Sequence, residues 1–441
     1  MASASSLLLA LVLQGPPQGP APAPLRLSFA AAIRQATGAT DSAPAAVAVA
    51  GFRTEEATAR VRQARSGLLP SLSLNGSWAN RSFSTKAQGL SFPGLPTIIG
   101  PFNAYDARAQ VHQTLVDFSN FGRVNAAKSQ VRAAGAEESA AVEASAQSVA
   151  LAYARATRAQ AVVMARRADS SLAAELVGLA VAQQQAGVSA SIDVTRARAQ
   201  LVEAEGQLLV ATNQLDRARI DLARSLGLDP ATPIALTDTL SASLGQADVP
   251  ADREAAVAKA VTARPDLAAE LARGAAARTT ASAISAERLP RLDLEADYGL
   301  TGVRVPDAVG TRQVALQVTL PILDGFRREG RLAEQQAVAR ESDVRARDLR
   351  QQVAADVDGA LLDLKTAAAQ QMIATERLQL AAEEVSQARQ RFKAGVVGNI
   401  EVINAQASLL RARDADIDAR FAAVAARIAL ARSVGTARTL H

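Results

Sequence analysis

Few residues of this chain could carry out chemistry, and they lie far apart in the sequence. Among 441 residues there are two histidines, His112 and His441, and no cysteine. A zinc site built from histidine and cysteine is therefore excluded, because such a site needs three or four of these ligands. The sequence also supports no glycine-rich phosphate loop, no Gly-x-Ser-x-Gly elbow and no Ser/His/Asp set. We therefore expect no enzyme, no cofactor and no bound metal.

Two acidic residues occupy matching positions in a repeated stretch. Residues 187–194 read GVSASIDV and residues 395–402 read GVVGNIEV, so that Asp193 and Glu401 lie 208 residues apart. A constant offset of this kind indicates a duplicated unit. In each copy the glycine opens a loop and the acid begins a helix, whose dipole favours a negative charge at its N-terminus.

The basic residues give a formal net charge of +5, but most of them alternate with Asp and Glu along the expected helices. A nucleic-acid-binding chain would cluster them, so we expect no nucleic-acid partner. A basic cluster of Arg327, Arg328 and Arg331 lies at an expected turn from strand to helix. These side chains are either solvated at a membrane interface or in contact with lipid headgroup phosphates.

Two stretches alternate with the period of two that is typical of strands. Residues 71–78 alternate Ser and Asn with Leu, Gly and Trp, and residues 291–298 alternate charged residues with Leu, Ala and Tyr. A return strand follows each, so we expect one β-hairpin per copy. The connecting loop is expected at residues 80–106 in the first hairpin and at about 301–311 in the second.

The polar face of these strands must be in contact with water, whereas the apolar face must be shielded from it. Strands of this kind are typical of a membrane barrel with a wet lumen. A soluble amphipathic sheet is the alternative. No run of 18 apolar residues exists, so a membrane would have to be crossed by strands. Trp78 and Tyr298, at the expected strand ends, would lie in an interfacial aromatic belt. The expected lumen residues are Arg108, His112, Arg291, Asp293, Glu295 and Asp297.

Long helices follow each hairpin. A helical pattern without proline runs over about 122–185 and 327–393, which corresponds to rods of roughly 95 Å. Shorter helices over about 189–227 and 399–435 return antiparallel to them. Leu and Ala at heptad spacing let such helices approach closely. The expected seams are Leu201, Ala204, Leu208, Ala211, Leu215, Ala218 and Leu222 in the first copy, and Leu410, Ile417 and Val424 in the second.

The chain therefore divides into two tandem repeats of an α+β membrane protein. Residues 1–24 resemble a signal peptide, with an apolar run followed by Pro, Gly and Ala. The first repeat covers residues 25–227, with its hairpin at about 71–115. A linker over residues 228–250 leads to the second repeat, residues 251–437, with its hairpin at about 291–320. Residues 438–441 form a tail.

Two copies of helix, Leu-Pro-x-Leu-x-Leu strand, hairpin, turn, long helix and Gly-Val tip resemble TolC-type outer-membrane efflux proteins, the outer-membrane factors. The resemblance covers about residues 25–437. It implies a homotrimer in which each chain gives four strands to a twelve-stranded barrel, on a long α-helical tunnel that extends into the periplasm. It further implies a passive channel for efflux or type I secretion. The partners would be outer-membrane lipid, a periplasmic adaptor (membrane fusion protein) and an inner-membrane transporter of the RND or ABC type.

The same resemblance implies that the gate and the adaptor contact lie at the periplasmic tips. The corresponding residues here are Gly187, Val188, Asp193, Gly395, Val396, Glu401 and Asn404. Many members carry a second acid where this chain has Asn404, so an acidic ring would be weaker here. The helix dipole alone is the other explanation of Asp193 and Glu401. The alternative function is a periplasmic adaptor or coiled-coil scaffold without a pore, which would lack the four strands and the duplication.

Overall fold

A computed structural model describes residues 24–38, 44–89, 92–94, 96–241, 244–250 and 252–441. Apart from Pro24, the expected signal peptide lies outside these residues. The helices are α1 Phe29–Thr37, α2 Ala45–Ser66, α3 Phe118–Gln185, α4 Ser191–Ser225, α5 Arg253–Ala263, α6 Pro265–Ala286, α7 Arg327–Lys393 and α8 Asn399–Val434. The strands are β1 Leu25–Leu27, β2 Ser71–Ser84, β3 Ile98–Val116, β4 Ile234–Leu236, β5 Arg291–Gly302 and β6 Val309–Thr319. None of the described helices has a stretch long and apolar enough to cross a membrane.

The two β-hairpins join into a single antiparallel sheet with the strand order β2-β3-β5-β6. They meet between β3 and β5, where His112 lies opposite Glu295. Residues directly opposite each other share one face of a sheet. Between Ser71 and Trp78 of β2 and along the matching parts of the other strands, most polar residues therefore lie on one face and most apolar residues on the other. Within the described residues, β2 and β6 are the edge strands.

Both hairpins extend further than the side-chain alternation predicts. β2 continues to Ser84 and β3 begins at Ile98, so about half of the predicted loop 80–106 lies in these two strands. In the second hairpin only residues 303–308 separate the strands. The predicted loops were wrong because they followed hydrophobicity, whereas the ladder bonds join backbone groups that every residue except proline carries in full. Asn80 and Asn103 add a side-chain bond of 2.9 Å to this extension.

Two long helical hairpins, α3–α4 and α7–α8, follow the strands. α3 has 68 residues and α7 has 67, so each is about 100 Å long. α3 begins four residues before the predicted start because the Asp117 carboxylate accepts the N–H of Ser119 at 2.8 Å. A carboxylate at this position caps the helix and fixes its first turn.

The seams of these hairpins have a heptad period, as expected for close antiparallel helices. In α4 the predicted Ala204, Ala211, Leu215 and Leu222 are buried. Small residues every seven positions make the matching stripe on α7, which the sequence analysis missed. The buried stripe of α7 is Ala339, Ala346, Val353, Ala360, Ala367, Ala374, Ala381 and Ala388.

The predicted seam of α8 was wrong by one residue. The buried heptad positions include Ala405, Leu409 and Ala412, which pack with α7 residues. Ile417 and Val424, which were predicted to lie in the seam, instead pack in a cluster around α3. The offset of 208 relates Leu201 to Leu409 and not to Leu410, so the duplication itself carried the correct register.

A packed layer surrounds the middle of α3, and we call it the middle belt: β1, α1, β4 and residues 436–441. β1 pairs in parallel with β4, so the segment predicted as a linker contributes a strand to the core. The buried hydroxyl of Tyr153 in α3 lies 2.9 Å from the Leu27 carbonyl oxygen and 2.9 Å from the Asp238 carboxylate. Burial, followed by the nearby Asp238 carboxylate, raises the pKa of Tyr153.

The residues after α8 belong to the middle belt. The fully buried Glu143 carboxylate accepts the backbone N–H of Ala437 and, at 3.1 Å, the Nε–H of Arg438. His441 donates its N–H to the carbonyl oxygen of Gln246 at 3.1 Å. The predicted tail, residues 438–441, is therefore held by backbone hydrogen bonds to the segment between the repeats.

Candidate functional site

The two helical hairpins turn through identical glycine motifs. Gly187 and Gly395 adopt φ values of 74° and 70°, in the left-handed region that glycine enters without strain. In each turn the N–H of the following valine bonds the carbonyl oxygen five residues back, at 3.0 Å. This Schellman arrangement satisfies the last carbonyl groups of α3 and α7. It leaves the side chains of Val188 and Val396 exposed by 72% and 68%.

The two acids begin the returning helices. Asp193 is the third residue of α4, and Glu401 is the third residue of α8. In this position a carboxylate is stabilised by the helix dipole. Asp193 accepts the hydroxyl of Ser189 at 2.9 Å, and Glu401 accepts the guanidinium of Arg391 at 2.5 Å. Both acids therefore have local partners, which fits the dipole explanation.

The two tips are bonded to each other within one chain. Asn399 is buried and donates its side-chain N–H to the Asp193 carbonyl oxygen at 2.7 Å. Gln183 donates to the Phe392 carbonyl oxygen at 3.0 Å. The sequence analysis missed both residues, although Asn399 lies inside the repeated motif. Asn404 is exposed on α8, one turn after the tip bonds.

The residues predicted for the lumen lie together on the polar face of the sheet. Arg108 bonds Asp106 at 3.0 Å and also bonds Asp297 across the two hairpins. Asp293 is buried in spite of its charge, because Thr114 donates to it at 2.9 Å and Arg291 pairs with it at 3.2 Å. A buried carboxylate requires such partners.

His112 and Glu295 complete this face, with a distance of 3.8 Å between imidazole Nδ1 and carboxylate. Both side chains are more than half exposed. Such exposure fits the expectation of a wetted side chain for His112.

The opposite face of the sheet is apolar and uncovered in the single chain. Trp78 and Tyr298 are exposed by 64% and 62%. The expectation that they end their strands was wrong, since β2 runs six residues beyond Trp78 and β5 four beyond Tyr298. They instead mark the end of the apolar band, because Asn80 follows Trp78 on the same face and Arg312 lies opposite Tyr298. The exposed apolar set of this face includes Leu72, Leu74, Val314, Leu316 and Val318.

In the part of the chain that the structure describes, no group of three or more His, Asp or Glu side chains could hold a metal ion.

Comparison with known proteins gives consistent matches along the chain. The family model described as outer membrane efflux protein matches residues 42–228 and 256–436. Protein CyaE of Bordetella pertussis is 27% identical over 367 residues, which cover 82% of this chain and 75% of CyaE. The pyoverdine export outer membrane protein OpmQ of Pseudomonas putida is 25% identical over 267 residues, which cover 59% of this chain and 55% of OpmQ.

Solved structures agree on the fold. The Campylobacter jejuni CmeC outer membrane channel superposes with a TM-score of 0.77 at 16% identity, and the match covers 93% of this chain and 86% of that one. At this identity the likeness establishes the tandem-repeat fold of a sheet on long helices.

Proposed function

Because the chain belongs to the outer membrane efflux protein family, we propose that it forms a passive duct through which a partner pump expels substrates. As a member of this family it is an outer-membrane channel protein of the efflux and secretion type. The main support for this duct is the sheet, which has one uncovered apolar face and one charged face and is followed by helices of about 100 Å. Since the family consists of outer-membrane channels, we propose no catalytic reaction for the chain.

Three copies close one barrel in this proposal. Four strands leave the edges of β2 and β6 unpaired, and unpaired edges are not tolerated in lipid. β2 leads away from α2 whereas β6 leads into α7, so β6 of one copy meets β2 of the next antiparallel. The family resemblance supports three copies, with twelve strands. The Arg108 and Asp293 face then lines the lumen, and Trp78 and Tyr298 contact the membrane interface.

Engineered disulfides test this closure, since the natural chain contains no cysteine. Single cysteines placed along residues 71–77 of β2 are combined with Gln317→Cys in β6. One or two neighbouring β2 positions should give covalent dimers and trimers on oxidation, because only one register brings the two edges together. A control pair places a cysteine at Arg345 on α7 together with Gln317→Cys. Protein that stays monomeric for every β2 position contradicts the closed trimer.

Conductance tests the duct itself. The purified protein should form ohmic pores in planar bilayers, as a lumen lined by charged side chains predicts. A chain that inserts without conducting contradicts the duct and favours the scaffold without a pore.

We place the gate at the tips, where Asp193 and Glu401 begin the returning helices. Glu401→Gln should weaken block of the single-channel current by divalent cations, because it removes one negative charge per copy. Asn404→Asp should strengthen the block by adding one. Glu384→Gln, an exposed acid on α7 away from the tip, serves as the control. Identical block in all three variants contradicts a gate at the tips.

We propose that the tips also bind the periplasmic adaptor through the exposed valines next to Gly187 and Gly395. The adaptor connects the channel to an inner-membrane transporter of the RND or ABC type, which supplies the energy and selects the substrate. Val188→Asp with Val396→Asp should abolish crosslinking to an adaptor while leaving assembly of the trimer and its insertion into the bilayer unchanged. Met372→Asp, an equally exposed apolar residue on α7, is the matched control. Unchanged adaptor crosslinking in the double variant contradicts this contact.

A further inference from the structure

A cavity of about 580 Å³ lies where the sheet meets the helices. Its walls come from the start of α3, the turn from α6 to β5, and the turn from β6 to α7. Two of its residues, Arg291 and Thr319, lie opposite each other in the β5–β6 ladder. Arg291 belongs to the charged face of the sheet, so the cavity reaches that face.

The cavity has an excess of positive charge. Its lining contains five arginines against three carboxylates, a formal excess of two positive charges. The lining arginines are Arg123, Arg291, Arg327, Arg328 and Arg331, and the lining carboxylates are Asp117, Glu287 and Asp324.

The three carboxylates already have partners. Asp117 caps α3, Glu287 pairs with Arg331 at 3.0 Å, and Asp324 pairs with Arg328 at 3.4 Å. Arg327 forms no salt bridge within the described ranges. The cavity therefore contains guanidinium groups whose donors exceed the acceptors that the chain itself supplies.

The helix that begins at this cavity has the reverse of the usual charge pattern. The Asp324 carboxylate accepts the backbone N–H of Arg328 at 3.2 Å, and the first five residues of α7 hold Arg327, Arg328 and Arg331 against the single acid Glu329. The positive end of the helix dipole disfavours cations there and favours an anion. α3 provides an internal comparison, because its first turn is capped by Asp117 and holds Ser119 and Asn120 where α7 holds Arg327 and Arg328.

Two buried polar groups line the cavity. The Arg328 side chain is only 7% exposed and pairs with a single carboxylate. The Oγ1 atom of Thr319 is buried and has no hydrogen-bond partner among the described residues. A buried hydroxyl without a partner is costly, and native structures normally satisfy such groups with a ligand, an ion or water.

We propose that this cavity binds a tetrahedral oxyanion of the phosphate type. Arg328 and Arg327 donate charge-assisted hydrogen bonds to it, and Thr319 donates its hydroxyl. Planar guanidinium groups match the oxygens of a phosphate well. The phosphate belongs either to a free anion in the lumen or to a lipid headgroup at the sheet's rim.

Binding of inorganic phosphate to the detergent-purified channel tests the site, by calorimetry at constant ionic strength. Arg328→Gln should weaken binding at least tenfold, because a charge-assisted bond is lost. Thr319→Val should weaken it about threefold and should also raise the melting temperature without phosphate, because it removes the unpaired hydroxyl. Since Thr319 has no bond to lose, this second variant keeps the test valid if Arg328→Gln fails to fold.

Arg345→Gln is the matched control, because Arg345 is an exposed arginine of α7 that pairs with Glu341 away from the cavity. It should bind phosphate as the natural protein does. Absence of phosphate binding, or equal binding by all variants, overturns the proposal.

Nanodiscs distinguish the two sources. If phosphatidylglycerol nanodiscs suppress phosphate binding that phosphatidylcholine nanodiscs permit, the site takes an anionic lipid headgroup. Equal phosphate binding in both identifies the free anion of the lumen.

Discussion

The helical hairpins α3–α4 and α7–α8 each have a seam with the same spacing of buried residues, but charged residues lie at different positions in the two seams. Buried small residues recur at the same offset of 208, with Ala152 matching Ala360 and Ala180 matching Ala388. At some of these positions a charged residue in one copy replaces an apolar residue of the other. α3 has Arg166 where α7 has Ala374, and α8 has buried Asp416 where α4 has Leu208.

These two charges serve different contacts. Arg166 of the first copy bonds Asp414 of the second at 2.6 Å, and thus joins the two hairpins to each other. Asp416 accepts the hydroxyl of Thr375 at 3.1 Å, and thus joins α8 to α7 within the second copy. Duplication has therefore preserved the spacing imposed by helix packing, whereas polar contacts diverge because the two copies face different neighbours.

Substitutions in the middle of the long helices should give the largest difference in unfolding free energy between the two copies. Glu143 of α3 is fully buried, while the matching Gln351 of α7 is exposed. Glu143→Ala leaves the N–H of Ala437 without its acceptor, so we expect a loss of about 3 kcal/mol in unfolding free energy. Gln351→Ala should change it by less than about 0.5 kcal/mol. Melting temperatures of the two variants check this, and equal shifts would remove the asymmetry.

The sequence predicts those parts of the fold that depend on local patterns, and not those that depend on contacts between distant residues. The period of two located the four strands of the sheet but not the far ends of β2 and β3, whereas the helical pattern predicted the long helices to within about four residues, because these signals are local. Pairing between β3 and β5 and the bond from Glu143 to Ala437 depend on contacts across 179 to 294 residues. No local period encodes such contacts.

The candidate sites show the same limit. The tips were predictable because glycine, valine and an acid recur in both copies. The bond from Asn399 to Asp193 was not, since the first copy has Ser191 at the position of Asn399. The cavity at the sheet joins residues from three separate segments, of which only the cluster of Arg327, Arg328 and Arg331 gave a local signal.

Making the two seams alike should change the unfolding free energy by a smaller amount. Asp416→Leu with Thr375→Val completes an apolar seam in α7–α8, as Leu208 does in α3–α4. Asp416 also pairs with Arg420 at 2.8 Å, but the Arg420 side chain is 40% exposed and can be hydrated without this carboxylate. Replacing a buried polar pair by apolar residues of similar size is often neutral or stabilising, so we expect a gain of about 1 kcal/mol in unfolding free energy. Thermal unfolding measures it, with exposed Asp221→Leu on α4 as the control. A lower melting temperature for the double variant would mean that Asp416 stabilises the second hairpin more than an apolar seam can.

The smallest loss of stability should appear on acidification, and it should affect only the second copy. In α6, burial favours the neutral form of Asp266, but the hydrogen bond and charge of Arg264 hold its pKa below the ordinary 3.8. Arg264 also bonds Asp356 of α7 at 2.7 Å, so this network joins α6 to α7. The corresponding first turn of α2 contains no acid.

A folded-state pKa below the unfolded value adds stability above the unfolded pKa, and this stability is lost as the pH falls through the folded pKa. For a partly exposed pair we expect less than about 1 kcal/mol. Hydrogen exchange below pH 4 should therefore rise in the contact between α6 and α7 before it rises between α2 and α3. Asp266→Asn should abolish this pH dependence, because the amide does not titrate. If the variant keeps the acid-induced exchange in α6, another group loosens the second copy and the network at Arg264 is not the cause.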